Sequence, residues 1–332
     1  MHVPNHLLSP EVATVGAVAA VALIAVAISK VTHTTPRRKL PLVWALGAFV
    51  FAAQMVNFPI GTLGFSGHLV GGVLLASLLG PWLGFLTLSA VVTLQTLLFA
   101  DGGLLALGWN IINMAAIGAL VVYPLIFKPI VARHTSPARY FAAALASSVV
   151  AIVGGAVSVA GEAAASGIGS ASALTFLGTM TTAHLAIGAV EGAVCGALLA
   201  FLASRQPALL ESFPHRKMGR LRQDIGSAVA AFSLCALFIG GGLSALASEQ
   251  PDGLEWSVEN TVGQEVAINT SVTHEGAEQL QKSIALAPDY EGEYTGLIAT
   301  AGILLVGWAT SPRRRKGADG DSGAQTSPKV KK

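Results

Sequence analysis

Polar residues punctuate this chain at wide intervals, and the apolar stretches between them are the right length for one kind of element only. Nine such stretches lie near 11–30, 41–58, 69–83, 85–100, 104–127, 140–163, 184–203, 224–247 and 294–310. At about 1.5 Å rise per residue, roughly twenty apolar residues cross the roughly 30 Å hydrocarbon core of a bilayer. The pattern therefore predicts an all-α polytopic membrane protein. The third stretch is short and meets Pro81 at once, so its boundary with the fourth is decisive. An odd change of span count there would invert every later segment.

Composition agrees with that class. Hydrophobic residues make up 53% of the chain, and its 11% of charged residues compares with about 25% in soluble domains. Mean hydropathy is +0.64. A lipid bilayer, not a nucleic acid, is the partner that such a composition implies. The basic residues form four groups: Arg37-Arg38-Lys39; Lys128 with Arg133 and Arg139; Arg205, Arg216, Lys217, Arg220 and Arg222; and Arg313-Arg314-Arg315-Lys316. With the amino terminus outside and nine crossings, all four fall on the cytoplasmic side, as the positive-inside bias requires. The carboxyl terminus is then cytoplasmic. The stretch 249–293 behaves oppositely, with Asp252, Glu255, Glu259, Glu265, Glu275, Glu278, Asp289 and Glu291 against Lys282 alone, and is expected outside.

Four regions follow. Residues 1–203 hold seven spans, and 204–223 form a basic cytoplasmic connector in which Pro207 and Pro214 disfavour a continuous helix. Residues 224–310 hold two helices around the acidic outer loop, and 311–332 read as a disordered basic cytoplasmic tail. The net charge of +2 averages two opposed faces and says little. Cys195 and Cys235 fall within spans without CxxC company, which suits small apolar packing residues rather than a disulfide or zinc site.

The candidate chemistry lies at the first two residues. Met1-His2 offers an amine, a main-chain amide nitrogen that deprotonates on metal binding, and an imidazole, three nitrogens in one plane. Such a set suits Ni(II), Cu(II) or low-spin Co(II), and one further ligand closes the square. His68, in Gly67-His68-Leu69, is the candidate, because the 59–68 loop is expected on the same outer surface as Met1. Methionine removal needs a small second residue, so the bulky His2 should preserve Met1. A cleaved leader would destroy the site, but residues 1–10 carry no Lys or Arg, and 11–30 reads as a retained span. The bland alternative for His2 and His6 is an ordinary polar tail.

Other polar residues lie within the predicted spans. Glu162, His184 and Glu191 are costly in hydrocarbon and should face the bundle interior, either as braces between helices or as functional groups. Asn57, Asn110 and Asn113 are candidates for hydrogen bonds that fix the amino-terminal loop around a metal, though bonds between helices would use them equally well. Ala13, Gly16, Ala17 and Ala20 give the first span a face that permits close approach, by an inner helix or a partner. Gly64-Phe65-Ser66-Gly67 has the GxSG form of intramembrane serine proteases, and with His184 a dyad can be drawn; this is a rival reading resting on a short motif. A passive metal channel would need rings of carboxylates, and the spans hold two. No GxxxxGK[ST] loop is present, so the chain carries no ATPase of its own of that kind.

Several blocks together resemble the CbiM/NikM family. They are Met1-His2-Val3-Pro4 with Leu8-Ser9-Pro10; Asn57-Phe58-Pro59 leading to Ser66-Gly67-His68-Leu69-Val70-Gly71-Gly72; Asp101-Gly102-Gly103-Leu104 with Asn110 and Asn113-Met114; and His184-Leu185-Ala186-Ile187-Gly188 with Glu191-Gly192. The second half is similar to the small NikN-type partner and carries Pro251-Asp252-Gly253-Leu254-Glu255. The resemblance implies the substrate-specific component of an energy-coupling-factor importer: a seven-helix bundle fused to a two-helix module. It also implies metal held by the Met1 amine, the His2 amide and imidazole, and His68. The implied partners are a transmembrane coupling subunit and cytoplasmic ATPases, with Ni2+ as cargo and Co2+ as the alternative. The chain departs from the family at Asn5-His6, where Asp-Gly is usual; His6 is read as a surface residue, with capture ligand or competitor as alternatives.

Overall fold

A computed structural model describes residues 1–34, 39–132, 136–168, 172–212, 218–262 and 271–288. The ninth predicted span, 294–310, and the tail 311–332 lie outside the described residues. Within them the protein is overwhelmingly helical. Its long helices are α1 (Pro10–Thr34), α4 (Pro81–Phe99), α5 (Leu107–Ala132), α6 (Pro137–Ala165) and α7 (Ala173–Arg205). These five are long and apolar enough to cross a membrane. The other helices are α2 (Leu40–Gln54), α3 (Gly72–Leu79), α8 (Met218–Gly241, apolar from Ile225), α9 (Gly253–Glu259) and α10 (Val272–Ile284).

The expected count of seven plus two spans is therefore not what the described residues display. The largest departure is at 69–83. Residues 69–71 lie outside any helix, with Gly71 left-handed at φ +83°, and α3 runs eight residues before Gly80, whose φ of +91° ends it ahead of Pro81. Eight residues rise only about 12 Å, well short of a bilayer core. Every residue of α3 is buried, so its apolar character answers to neighbouring helices instead of lipid. Within the stretch 204–223, a short 3-10 turn at Pro207–Leu209 precedes a separate helix that begins at Met218.

Small residues set the helix spacing. A Cβ on Gly188, Gly192 or Gly196 of α7 would fall 3.0 Å from Val149 Cα, 2.8 Å from Leu145 Cα and 3.0 Å from the Phe141 carbonyl of α6. Three glycines four apart thus let the two backbones touch, as packing in lipid favours. On α1, Ala13, Gly16 and Ala20 are buried, and Gly16 stacks beneath Trp109 of α5, whose indole donates to the Val12 carbonyl at 2.7 Å. That face packs internally, while Val15, Val18 and Val21 point outward. Within α5, Ile111–Phe127 is wound as a π-helix, and Lys128 N–H reaches the Tyr123 carbonyl five residues back. Pro124, which has no N–H to give, lies in that turn.

Two short strands cover one end of the bundle. β1 (Phe58–Pro59) pairs antiparallel with β2 (Ser66–Gly67), and Ser66 N–H also donates to the Pro251 carbonyl at 2.8 Å. The extended chain just before α9 is thereby laid beside β2. The described parts of the acidic stretch pack against the bundle: α9 rests on α7 and α10 on α4.

Candidate metal site

The amino-terminal tail enters the bundle between these layers. Val3 anchors it. Its N–H donates to Asn110 Oδ1 at 2.8 Å, and its carbonyl accepts from Asn110 Nδ2 at 3.2 Å and Gly103 N–H at 2.8 Å. The Asp101-Gly102-Gly103 turn is shaped around it. Gly102 has φ +78°, and a Cβ on Gly103 would lie 2.3 Å from the Asn5 nitrogen. Asn5 Oδ1 accepts from Leu105 N–H, and its Nδ2 donates to Gln281 Oε1 of α10. Gln281 in turn donates to the Thr96 and Gly102 carbonyls. His274 Nε2, 2.8 Å from the Leu8 carbonyl, closes the far side.

So held, Met1 points inward and is 4% exposed, its side chain packed against Gly155. Its amino nitrogen lies 3.2 Å from His68 Nε2 and 2.6 Å from Asp252 Oδ2. His2 packs edge-on to His68, ring centres 5.2 Å apart, with its Nδ1 3.0 Å from Asp101 Oδ1. The segment carrying His68 is fixed by Glu191, which accepts from Val70 N–H at 2.6 Å and Gly71 N–H at 3.2 Å, and by Gln54, which donates to the Val70 carbonyl. Irregular backbone at this depth needs such partners, because no lipid group supplies them.

The electrostatics favour bare nitrogens. Burial lowers the pKa of His2, only partly offset by Asp101. Burial lowers His68 further, helped by the adjacent terminal ammonium and His2. Both rings are thus held neutral, the form that binds metal. Burial pushes Asp252 up, but the charge and hydrogen bond of the Met1 ammonium, with the Glu255 N–H, together hold the carboxyl well below the usual carboxylate range. His68 Nδ1 lies 3.1 Å from the Leu69 carbonyl, an acceptor only, which places the proton on Nδ1 and leaves the Nε2 lone pair toward Met1.

Met1, His2 and His68 are therefore brought together. Asn110 braces the tail directly. Asn113 instead donates to Glu162, and the carbonyl of Asn57 accepts from Ser248 N–H; neither bonds to the tail. Glu162 and Glu191 are braces, whereas His184 bonds only within its own helix. His6 is half-buried in an acidic groove of about 470 Å³ that it shares with Asp101, Asp252, Glu255 and Glu278, and that reaches His2. Ser66 spends its hydroxyl on the Gln250 carbonyl at 2.8 Å, so no Ser-His dyad forms. Sequence reasoning did not assign Asp101, Asp252, His274 or Gln281 to this site; for Asp252 the signal was present, in the PDGLE stretch. Among the described residues, no three His, Cys, Asp or Glu side chains cluster to hold a metal.

Residues 2–209 match the family described as the cobalt uptake substrate-specific transmembrane region, and 226–310 match the PDGLE domain. Over 307 residues the chain is 30% identical to an Archaeoglobus fulgidus protein provisionally named a fused nickel transport protein, NikMN, covering 92% of this chain and 93% of that one. It is 30% identical over 181 residues to the cobalt transport protein CbiM of Sorangium cellulosum, covering 52% and 76%. A crystal structure of a transition metal transporter superposes with a TM-score of 0.50 at 28% identity, covering 61% of this chain and 93% of that chain.

Proposed function

Because the chain belongs to the CbiM family of nickel and cobalt transport components, fused to a PDGLE domain, we propose that it captures Ni2+ through four nitrogens in a plane. They are the Met1 amine, the His2 amide, His2 Nδ1 and His68 Nε2. The observation that carries this is the 3.2 Å approach of the Met1 amine to His68 Nε2, a contact across 67 residues of sequence. The amide and Nδ1 of one histidine close a six-membered ring on a metal; Nε2 of the same ring points away and does not. In the structure His2 Nδ1 faces Asp101, and the amine faces Asp252. Binding then exchanges two carboxylate partners for one ion and releases protons from the amine and the amide. The acidic groove supplies the approach, raising local cation concentration at its mouth.

Nickel is preferred because a strong-field planar nitrogen set suits d⁸ Ni(II). The fused nickel protein of A. fulgidus, aligned over most of its length, supports the same choice; Co2+ is the alternative. The domains are 1–203 for capture, 204–223 as connector, 224–310 as the PDGLE module and 311–332 as tail, with the amino terminus outside and the carboxyl terminus cytoplasmic. Import energy comes from a transmembrane coupling subunit and cytoplasmic ATPases of an energy-coupling-factor complex, since the chain has no phosphate-cradling loop. Metal analysis and absorption spectroscopy of the purified chain, with amino-terminal sequencing to establish that Met1 is the first residue, test the reading. One nickel per chain with a planar d–d spectrum is expected; its absence from a chain that begins at Met1 refutes the site.

A further inference from the structure

His2 is held in an orientation that does not offer Nδ1 to a metal. That nitrogen lies 3.0 Å from Asp101 Oδ1 and 3.3 Å from the Asp101 carbonyl. A carbonyl only accepts, so the ring proton sits on Nδ1, the nitrogen that a chelate with the His2 amide requires bare. Nε2 is then the lone pair, and among the described residues it is buried without a hydrogen-bond partner. A buried acceptor left unpaired is costly, so an orientation that keeps one invites a reason. The ring is enclosed by the turn that Asp101 begins: its side chain is 5% exposed, and a Cβ on Gly102 would fall 3.2 Å from His2 Cβ and 3.5 Å from Nδ1. A half-turn about the Cβ–Cγ bond exchanges Nδ1 with Cδ2 and Nε2 with Cε1. Because Cε1 is bonded to Nδ1, the half-turn brings Nε2 beside the place that Nδ1 leaves. A short reach of the Asp101 carboxylate then closes a bond to Nε2–H, while Nδ1 is turned away from it.

Resting on the four-nitrogen reading above, we propose that Asp101 is a positioning residue that holds the His2 ring in two orientations, by Nδ1–H in the empty chain and by Nε2–H in the loaded one. The proton count of the ring does not change. Nδ1 gives its proton to water in the open groove that His2 borders, and Nε2 takes one from the same water. The protons set free by capture are still those of the amine and the amide. A carboxylate that accepts from the far nitrogen of a metal-bound imidazole fixes its tautomer and orientation and makes the near nitrogen a stronger donor. The Asp101 carbonyl serves the empty orientation with or without the carboxylate, so loss of the carboxylate falls mainly on the loaded state.

Square-planar Ni(II) is diamagnetic, so nuclear magnetic resonance of the full-length chain reads both states. The chain is deuterated and carries ¹⁵N-histidine and protonated aspartate. Without metal, the His2 proton should sit on Nδ1. With one nickel bound it should sit on Nε2, far downfield, with a cross-peak to the Asp101 β protons. In Asp101→Asn that proton should move upfield and exchange faster with water, and nickel affinity should fall roughly tenfold to a hundredfold, the range for partners of this kind. The cross-peak is read in the wild-type chain, so it decides the matter even if Asp101→Asn fails to fold. A loaded wild-type chain without that cross-peak, or an Asp101→Asn chain with its Nε2 proton and affinity unmoved, overturns the role of Asp101 and leaves the nitrogen plane standing. Nickel that is paramagnetic in the chain, or that leaves His2 Nδ1 unbound, overturns the plane itself.

Discussion

At the scale of single residues, the tail and His68 carry different burdens, and substitutions should separate them. His2→Ala and His68→Ala each remove one of four nitrogens that only water replaces, so each should abolish most metal binding in a titration. His6→Ala, in the groove and away from the amine, should cost much less. Equal losses at His6 and His68 would show the ligand set to be drawn wrongly. Because burial already keeps the His2 and His68 rings neutral, their competition with protons is confined below the ordinary histidine value of about 6.5. Affinity should still climb above that pH, driven by the amine and amide; a curve flat above pH 6.5 would argue against amide coordination. Asp252 has a second job, accepting from Leu254 N–H and Glu255 N–H as the cap of α9. Asp252→Ala should cost about 1 kcal/mol of capping plus the ion pair, whereas Asp252→Asn keeps a capping side chain and loses only the charge. The folded carboxyl is depressed, so its contribution is whole above the unfolded carboxylate value near 3.9 and fades as pH falls through the folded one. The protection factors of residues 253–259, exchange measured relative to the intrinsic rate at each pH, should fall on acidification in the wild-type chain and lose that dependence in Asp252→Asn. Met1 and His2 could be singled out from the sequence because an amine followed by a histidine is local chemistry; Asp101 and Asp252 could not, because they meet the tail only through folding, 99 and 251 residues away.

At the scale of elements, hydropathy located the long helices well and misjudged the short one for a physical reason. A run is apolar whether it faces lipid or protein, and 69–83 is apolar because α3 is buried on all sides. Its non-helical approach at 69–71 is tolerable in the interior only because Glu191 and Gln54 meet the freed backbone groups. The glycines of α7 hold that arrangement in place. They bring α6 and α7 into backbone contact, and the same helix presents His184 and Glu191 toward the segment carrying His68. Gly192→Leu cannot be absorbed by a side-chain rotation, since even its Cβ would stand 2.8 Å from Leu145 Cα. The helices must part, and metal affinity should fall together with thermal stability. Gly161→Leu on α6, where a Cβ meets nothing within 4 Å, is the control and should leave both unchanged. If Gly192→Leu kept full metal affinity, the α6–α7 contact would be irrelevant to the site.

At the scale of the whole molecule, the tail is clamped by both halves of the chain. From the first half come Asn110 and Gly103; from the second come Asp252, His274 and Gln281, each bonded to residues 1–8. The sequence marks the acidic stretch by its charge but not as the second jaw of this clamp, because its contacts pair residues that no local pattern links. Gln281 is the most demanding of them, serving Asn5, Leu104, Thr96 and Gly102 at once while 3% exposed. Gln281→Leu would strand several of those buried groups, at roughly 1–3 kcal/mol for each left unpaired. The tail should then be released without loss of any metal ligand. Residues 1–223 expressed alone should behave likewise, binding Ni2+ more weakly than the full chain and exchanging amide protons of residues 3–8 faster. Adding residues 224–332 as a separate chain should restore both, because the clamp needs contact and not covalent continuity. Full affinity in residues 1–223 alone would show that the second half plays no part in capture and would confine its role to later steps of transport.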